Sequence, residues 1–316
     1  MRSTARYPAP WYHDPKDKRL VQIIRATRKN QPEAVNILGI PFDGAVLGRK
    51  GAKEGPGAIR QAMVGFSNYN VELGIGLEDA RVFDLGDMVV DGDVLKAHRQ
   101  IESEVIQGLG VSSLLAILGG DNSISLPSLR AFERKFGEVG LIVLDSHLDL
   151  RGKIGRRPTS GSSYGLAIDS LHGLDPRRVV EIGIHGFLNS RKYYAKAKKL
   201  GIKIFTAKDV EELGAVVVAK EAYQIASKQA QAVYLSVDLD ALDISNVSGV
   251  SAPSAGGMTS KQLFELVYSI TRQPKVKCAD LVELAPSLDA SEKSQRVAAA
   301  TLAYMIAGFA SRKVVR

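Results

Sequence analysis

Short apolar segments, many of them β-branched, alternate along the chain with longer amphipathic segments. The apolar segments lie at 35–40, 81–85, 114–118, 141–144, 179–184, 202–205, 232–237 and 276–282. The amphipathic segments lie at 94–109, 126–136, 190–200, 215–229, 260–271 and 291–310. Short apolar runs are typical of buried strands, and longer runs with a period near 3.6 residues are typical of helices. The alternation predicts an α/β fold of three layers, α/β/α, around a mainly parallel sheet of about eight strands.

The chain contains no repeat, low-complexity stretch or linker-like segment that would divide it. We therefore expect a single domain over residues 1–316. The stretch 151–174 is rich in Gly, Ser, Pro and Arg and has little periodicity. It predicts a long connecting loop, and long loops in compact domains are often functional.

The composition indicates the compartment of the protein and the kinds of partner to expect. The single cysteine, Cys278, cannot pair within the chain, which favours a reducing, cytoplasmic compartment. No apolar run approaches the roughly 20 residues of a transmembrane helix, so we expect no membrane partner. The net charge of +8 is spread over many positions. Solvated surface charge is the favoured interpretation, followed by capture of an acidic small molecule; without a recognisable binding motif, nucleic acid is not expected as a partner.

Acidic and polar residues directly follow three of the predicted strands. The clusters are Asp121-Asn122-Ser123, Asp145 to Asp149, and Asp238 to Asp243. Because the carboxyl ends of parallel strands line one crevice, six aspartates, one asparagine and one histidine are expected to converge there. Buried carboxylates repel one another and take raised pKa values unless cations compensate them. A pair of divalent metal ions is the simplest compensation.

The spacing of these residues also suits a metal site. In Asp145-x-His147-x-Asp149 and Asp238-x-Asp240, alternate residues of an extended segment would point to the same side. Mixed oxygen and imidazole ligands favour manganese, Mn²⁺, over Mg²⁺, Zn²⁺ or Fe²⁺. Two ions about 3.5–4 Å apart can bind a hydroxide at neutral pH, which predicts hydrolytic chemistry. Taken singly, Asp121 or Asp243 would instead be a turn or cap residue.

At these residues the sequence resembles the ureohydrolase superfamily of arginase, agmatinase and formimidoylglutamase. Blocks of that superfamily occur in order as Gly119 to Ser123, Asp145 to Asp149 and Ser236 to Asp243, with supporting matches at Gly55 to Arg60 and Asp280 to Pro286. The resemblance implies an arginase-like fold and a binuclear-metal hydrolase that cleaves a C–N bond of a formimino or guanidino substrate. It also implies a homotrimer or homohexamer.

The resemblance further implies a role for each matched residue. Asp149 would pass a proton to the departing nitrogen, and Glu283 would anchor the cationic nitrogen group of the substrate. The implied metal ligands are Asp145 and Asp238 as bridges, Asp149 and Asn122 on one ion, and His147 and Asp240 on the other.

Four positions depart from the superfamily's pattern. Asn122 replaces a metal-binding histidine, and an amide oxygen is the weaker ligand for Mn²⁺. Ser146 replaces alanine, and Ile244 replaces a proline that shapes the following loop. Tyr164 lies near the place of a proton-shuttling histidine of arginase, which argues against arginase activity.

The substrate prediction depends on positive charge in the 151–174 stretch. Formimidoylglutamate carries two carboxylates, and arginine forms bidentate contacts with carboxylates. Both Asn122 and Arg151 resemble residues of some bacterial formimidoylglutamases, and Arg156 and Arg157 lie on the same stretch. In family members the substrate's α-amino and carboxylate groups are contacted by residues that correspond here to Ser160, Ser162 and Ser163.

We therefore expect hydrolysis of N-formimidoyl-L-glutamate to L-glutamate and formamide. Two alternatives stay open. One is an agmatinase or guanidino-acid hydrolase that releases urea, although a dication such as agmatine would be repelled by an arginine-rich loop. The other is a catalytically weak homologue that binds a ligand or regulates a partner, because Asn122 weakens one metal site.

Overall fold

A computed structural model describes residues 2–3, 5, 7–9, 14, 16–155 and 157–312, so Arg156 lies outside the described residues. The strands are β1 (Ile24–Ala26), β2 (Val35–Gly39), β3 (Tyr69–Asn70), β4 (Ile75–Gly76), β5 (Val82–Asp87), β6 (Leu114–Leu118), β7 (Val139–Leu144), β8 (Leu174–Ile184), β9 (Lys203–Thr206), β10 (Ala232–Asp238) and β11 (Val276–Val282). The α-helices are α1 (Gly55–Ala62), α2 (Val94–Gly108), α3 (Ser125–Phe136), α4 (Ser163–Ser170), α5 (Arg191–Leu200), α6 (Ala207–Leu213), α7 (Ala215–Ala226), α8 (Ser260–Thr271) and α9 (Lys293–Ala310).

Nine strands of the described chain form one sheet in the order β1-β5-β2-β6-β11-β10-β7-β8-β9. Every pairing in this sheet is parallel. All eight predicted strands are present, and the ninth is the edge strand β1. This strand has only three residues, and none of them is fully buried. The apolar pattern could not reveal it because three residues are too few to show a period, and its Ile24 packs against the core while only partly buried.

Helices cover both faces of the sheet, which confirms the predicted α/β/α layers. Successive residues of β6 alternate between two buried clusters: Leu114 belongs to one and Leu115 to the other. The first cluster contains residues of α1, α7, α8 and α9, and the second contains residues of α2, α3, α4 and α5. A parallel sheet that is buried on both faces explains why its strands are continuously apolar rather than alternating.

The stretch 151–174 is more ordered than a loop, so the predicted long loop is partly wrong. It contains a 3₁₀ turn, Ser160–Ser162, followed directly by α4. Tyr164 and Ala167 of α4 are fully buried. Gly and Ser lower helix propensity, and a helix of eight residues offers too few turns for its apolar period to stand out. Among the described residues, no helix has the length and apolar character needed to cross a membrane.

Candidate metal centre

Four adjacent strands deliver the polar clusters to one edge of the sheet. Strands β6, β11, β10 and β7 are neighbours in this order and run parallel. Asn122 follows β6, Glu283 follows β11, Asp238 ends β10, and Asp145 follows β7. The predicted convergence of the strand ends is therefore present, and Glu283 joins it from the strand between β6 and β10.

Tight turns, rather than extended segments, bring the acids of each cluster together. The carboxylate of Asp145 accepts a hydrogen bond from the backbone N–H of His147 at 2.6 Å, and that of Asp238 accepts one from Asp240 at 2.8 Å. Asp149 has a left-handed backbone with a φ of 45°. The expectation of alternate residues on an extended chain is thus wrong in detail, because each aspartate caps its own turn.

Three side chains converge closely enough to hold one cation. One ligand atom each from Asp145, His147 and Asp240 lie within 4.8 Å of one another. The Nδ1 atom of His147 lies 3.0 Å from Oδ2 of Asp240 and 3.5 Å from Oδ1 of Asp145. The second oxygen of Asp145 is buried and has no hydrogen-bond partner. A buried carboxylate oxygen without a partner is costly, and a bound cation would satisfy it.

His147 and Asp240 line a cavity of about 120 Å³, and the remaining predicted ligands Asn122, Asp149 and Asp238 line it too. The Asn122 backbone N–H donates to Oε1 of Glu283 at 2.7 Å, and its amide nitrogen lies 2.5 Å from Oδ2 of Asp149. Oε2 of Glu283 is buried without a partner. The cavity is lined by Leu47, Gly48, Asn122, His147, Asp149, Arg151, Ser160, Gly161, Asp238, Asp240, Ser251, Ala252 and Glu283.

The carboxylates in and beside this cavity are short of positive charge. Burial, with repulsion from Asp240, raises the pKa of Asp145 and of Asp238 well above the usual range. Burial also raises the pKa of Asp149 to about 6 and that of Glu283 to about 8. Such shifts mark acids that lack counter-charge. The donor set of carboxylates, one amide and one imidazole fits hard divalent cations.

His147 and Asp240 show the opposite behaviour because they compensate each other. Burial alone would lower the pKa of His147, but its hydrogen bond to Asp240 outweighs burial and raises the pKa to about 9. Burial would raise the pKa of Asp240, but the same hydrogen bond lowers it below its ordinary value. The two shifts show that the Asp240 carboxylate stabilises the positive charge of a protonated His147 ring.

Two side chains hold the His147 turn in place. The Ser146 hydroxyl donates to Oδ1 of Asp240 at 2.7 Å, so this serine, at a position where the resemblance implies alanine, has a definite partner. Asn189 donates from its amide to the Ser146 carbonyl and accepts from the backbone N–H of Leu148, at 2.8 and 2.9 Å. Sequence reasoning missed Asn189, because nothing in its own segment shows that it contacts a turn some 40 residues earlier.

Three segments form the mouth of the cavity: the loop 44–51, the Ser160 turn and the loop 248–252. The loop 44–51 contributes Leu47 and Gly48, and it is tied to the Ser160 turn by a hydrogen bond from the Leu47 N–H to the Ser160 hydroxyl at 3.2 Å. Its Arg49 guanidinium donates to the carbonyls of Ser248, Val250 and Ser251. These mouth residues on 44–51 and 248–252 were not predicted from the sequence.

The predicted substrate residues do not all reach this cavity. Arg151 and Ser160 line it. Ser162 is buried and caps a turn through Thr159, and the buried Ser163 hydroxyl donates to the Asn122 carbonyl at 2.8 Å. Both therefore support the lining from behind, contrary to the expected direct contact.

Of the other polar residues, Arg157 is largely exposed and lies 3.7 Å from Asp93 rather than in the cavity. Asp121 caps the turn before α3, and Asp243 accepts backbone hydrogen bonds from Ser245 and Gly256. These two aspartates take the cap roles expected for each alone, so the convergence of six aspartates is reduced to four.

Residues 33–308 match the family model described as the arginase family. The chain belongs to the arginase family. It is 32% identical over 275 residues to the formimidoylglutamase of Bacillus subtilis strain 168, covering 86% of each chain. It is also 32% identical over 292 residues to the agmatinase of the same strain, covering 91% of this chain and 96% of the agmatinase.

Solved structures of arginase-family enzymes share the whole fold. The formimidoylglutamase of B. subtilis superposes with a TM-score of 0.90 at 29% identity, over 98% of this chain and 97% of that one. Formiminoglutamase of Trypanosoma cruzi, solved with Mn²⁺₂, superposes with a TM-score of 0.86 at 29% identity, over 94% and 99%. These findings confirm the predicted fold and the class of enzyme: this chain is a metal-dependent hydrolase of the arginase family.

Proposed function

We propose that this arginase-family enzyme hydrolyses N-formimidoyl-L-glutamate to L-glutamate and formamide with two Mn²⁺ ions. The observation that carries the proposal is the cavity itself. It combines a cluster of under-compensated acids at its base with an exposed arginine, Arg151, at its mouth. This polarity suits a substrate that has a cationic formimino group at one end and carboxylates at the other.

We assign the two ions to the residues at the base of the cavity. When bound, the ions would supply an activated water molecule and stabilise the charge that develops as its oxygen adds to the formimino carbon, before the C–N bond breaks. Asn122, Asp145, His147, Asp149, Asp238 and Asp240 would together hold the two ions. The unpartnered oxygen of Asp145 and the proximity of His147 to Asp240 support this set.

The chain's own side chains position the formimino group. Oε1 of Glu283 is occupied by the Asn122 N–H, whereas its Oε2 is buried without a partner on the same cavity. That oxygen can accept an N–H of the cationic group, which holds the reacting carbon over the acids. Asp149 lines the cavity and can pass a proton to the departing nitrogen.

At the mouth, Arg151 and the Ser160 hydroxyl are the proposed contacts of the substrate's carboxylates. Arg151 offers paired N–H donors, and its guanidinium carbon lies 5.9 Å from the centre of the Tyr193 ring. Ser162 and Ser163 enter the proposal as supports of the Ser160 turn and of Asn122.

A second candidate function is hydrolysis of a guanidino compound with release of urea. It is favoured by the B. subtilis agmatinase, which this chain matches over 96% of that enzyme's length. The position of Arg151 opposes a dicationic substrate such as agmatine, but it does not oppose a guanidino acid such as guanidinobutyrate.

The experiment measures product release by the Mn²⁺-loaded protein from formimidoylglutamate, agmatine, guanidinobutyrate and arginine. We expect formamide from the first compound alone. Urea from any of the others would favour the second function, and two bound ions without any turnover would indicate a catalytically weak binding or regulatory homologue.

A matched pair of variants tests the role of the mouth. Arg151→Gln is expected to raise KM for formimidoylglutamate about tenfold, because a charge-assisted hydrogen bond is lost. Arg157→Gln is the control, since Arg157 is an equally basic residue of the same stretch whose side chain is 66% exposed and lies away from the cavity. Equal effects of the two variants would mean that general surface charge, not a carboxylate contact, captures the substrate.

We also propose that residues 1–316 form one domain and that the enzyme is a cytoplasmic homotrimer or homohexamer. The sheet takes strands from Ile24–Ala26 to Val276–Val282, which supports one domain. The one thiol of the sequence, Cys278, is buried and free, in keeping with a reducing compartment. Light scattering on the purified protein measures the mass, and a monomer would refute the assembly.

A further inference from the structure

The side-chain amide of Asn122 lies between the acid cluster and a buried group of hydroxyls. Its nitrogen lies 2.5 Å from Oδ2 of Asp149 on one side. Its oxygen lies 3.0 Å from the hydroxyl oxygens of Ser125 and Tyr164 on the other side. The amide nitrogen is a donor and cannot ligate a cation, whereas the amide oxygen can. The direction of this amide therefore decides whether Asn122 can serve as a metal ligand.

The carboxylate of Asp280 directs the hydroxyl hydrogens of this group. Its Oδ1 lies 2.5 Å from the Ser236 hydroxyl, and its Oδ2 lies 2.7 Å from the hydroxyls of both Ser125 and Tyr234. Each hydroxyl has a single hydrogen to donate. A hydrogen bond to a carboxylate is stronger than one to a neutral acceptor, so Ser125 and Ser236 donate to Asp280.

Tyr164 continues the same direction. Its hydroxyl lies 2.9 Å from the Ser236 oxygen, whose own hydrogen is engaged by Asp280, so Tyr164 donates to Ser236. Ser125 and Tyr164 then both present lone pairs to Asn122. Two lone pairs are matched by the two N–H donors of an amide NH₂ group, and not by an amide oxygen.

We infer that Asp280, acting through Ser125 and through Ser236 with Tyr164, turns the Asn122 amide so that its oxygen faces the metal site. Asp280, Ser125, Ser236 and Tyr164 are thus positioning residues, all buried and all outside the ligand set. The structure has the opposite amide direction, with the nitrogen beside Asp149 and the oxygen beside Ser125 and Tyr164. The same residues accommodate it because their hydroxyl groups rotate. A cation beside Asp149 repels N–H groups and attracts the oxygen, so metal binding and the hydroxyl directions favour the same arrangement.

This inference rests on the proposed two-ion site, and its test is metal binding rather than turnover. Equilibrium dialysis with elemental analysis measures the affinity of both Mn²⁺ ions in the parent protein, Tyr164→Phe and Ser125→Ala. Each variant removes one oxygen that accepts from the amide. We expect one of the two ions to bind about tenfold more weakly, as is usual when a group that orients a ligand is removed. The other ion should keep its affinity.

The matched control is Tyr234→Phe. It removes a hydroxyl that donates to the same oxygen of Asp280 but whose hydrogen bond does not go to Asn122. Both ions should bind this variant as they bind the parent. If Tyr164→Phe and Ser125→Ala bind both ions as tightly as the control does, or more tightly, the inference is overturned.

The same substitution made in the variant Asn122→Ala distinguishes orientation of the amide from a general disturbance of core packing. In Asn122→Ala no amide is left to orient, so adding Tyr164→Phe should cause no further loss of Mn²⁺ affinity. A further loss as large as in the parent would assign Tyr164 a purely structural role and reject the inference. Ser125→Ala, which changes a smaller side chain, gives the same test if Tyr164→Phe does not fold. A parent protein that binds no Mn²⁺ would instead refute the proposed function.

Discussion

The Arg60 guanidinium joins helix α1 to strand β5 through a buried ion pair. Its side chain is 3% exposed, and that of Asp84 is fully buried. The Nε and Nη2 atoms donate to the two oxygens of Asp84 at 2.8 and 3.0 Å, and Nη1 donates to Asp87 at 2.5 Å. The motif Gly55 to Arg60 therefore contributes to stability at a distance from the metal cavity, and this contribution can be measured.

The variant Arg60→Met keeps most of the volume of the side chain and leaves the Asp84 carboxylate buried without its counter-charge. Removing one partner of a buried ion pair costs about 3–5 kcal/mol. The contact with Asp87 adds little, because that side chain is 29% exposed and solvent screens it. We expect the free energy of unfolding to fall by about 3–5 kcal/mol, a large part of the stability of an ordinary domain.

Urea unfolding followed by circular dichroism measures this change, with a chelator present so that bound metal does not add to the stability. Asp87→Asn is the control and should cost less than about 1 kcal/mol. Arg60→Met combined with Asp84→Asn should be more stable than Arg60→Met alone, because the uncompensated charge is gone. A loss of less than about 1 kcal/mol in Arg60→Met would refute the view that this ion pair holds α1 to the sheet.

Three further predictions concern other parts of the chain. Burial would raise the pKa of Asp289, but hydrogen bonds from Ser291 and Ser294 outweigh burial and lower it to about 2. The ionised carboxylate therefore contributes about 1–2 kcal/mol to the free energy of unfolding above pH 4, and this contribution is lost as the pH falls through 2. In urea unfolding, Asp289→Asn should be less stable than the parent by this amount at pH 7 and should match the parent near pH 2. A Cβ on Gly48 would lie 2.8 Å from the Ser251 carbonyl oxygen, so Gly48→Ala should shift the mouth loop and lower kcat/KM on the order of tenfold in steady-state assays; unchanged kinetics would contradict this. Asn189→Ala should weaken Mn²⁺ binding about tenfold in equilibrium dialysis, because the turn after β7 loses two hydrogen bonds. Unaltered binding would show that the turn keeps its conformation without Asn189.

The layers and the central strands of this fold could be predicted because they depend on local hydrophobic pattern. Each predicted strand is a short, mainly apolar run whose apolar residues are largely buried, and each run carries its own signal. The edge strand β1 and the short helix α4 carry almost no such signal. Strand β1 has only three residues, none fully buried, and α4 has eight residues that begin in a Gly- and Ser-rich stretch. The prediction failed where an element owes its conformation to its neighbours rather than to its own periodicity.

The candidate ligands and the residues that hold them differ in the same way. Asp145, His147 and Asp240 stand next to strand ends, so the topology of a parallel sheet was enough to place them together. What the pattern could not give is their direction, since the Asx-type turns that aim them were read as extended chain. The residues that orient the candidate ligands cannot be identified from local sequence pattern at all. In the arrangement we infer, Asn122 is oriented by Asp280, which lies 155 residues along the chain from Ser125, the α3 residue whose hydroxyl it binds. A sequence can reveal which groups could bind a metal ion, but the hydrogen-bond directions that make an amide a ligand arise only when distant strands are packed side by side.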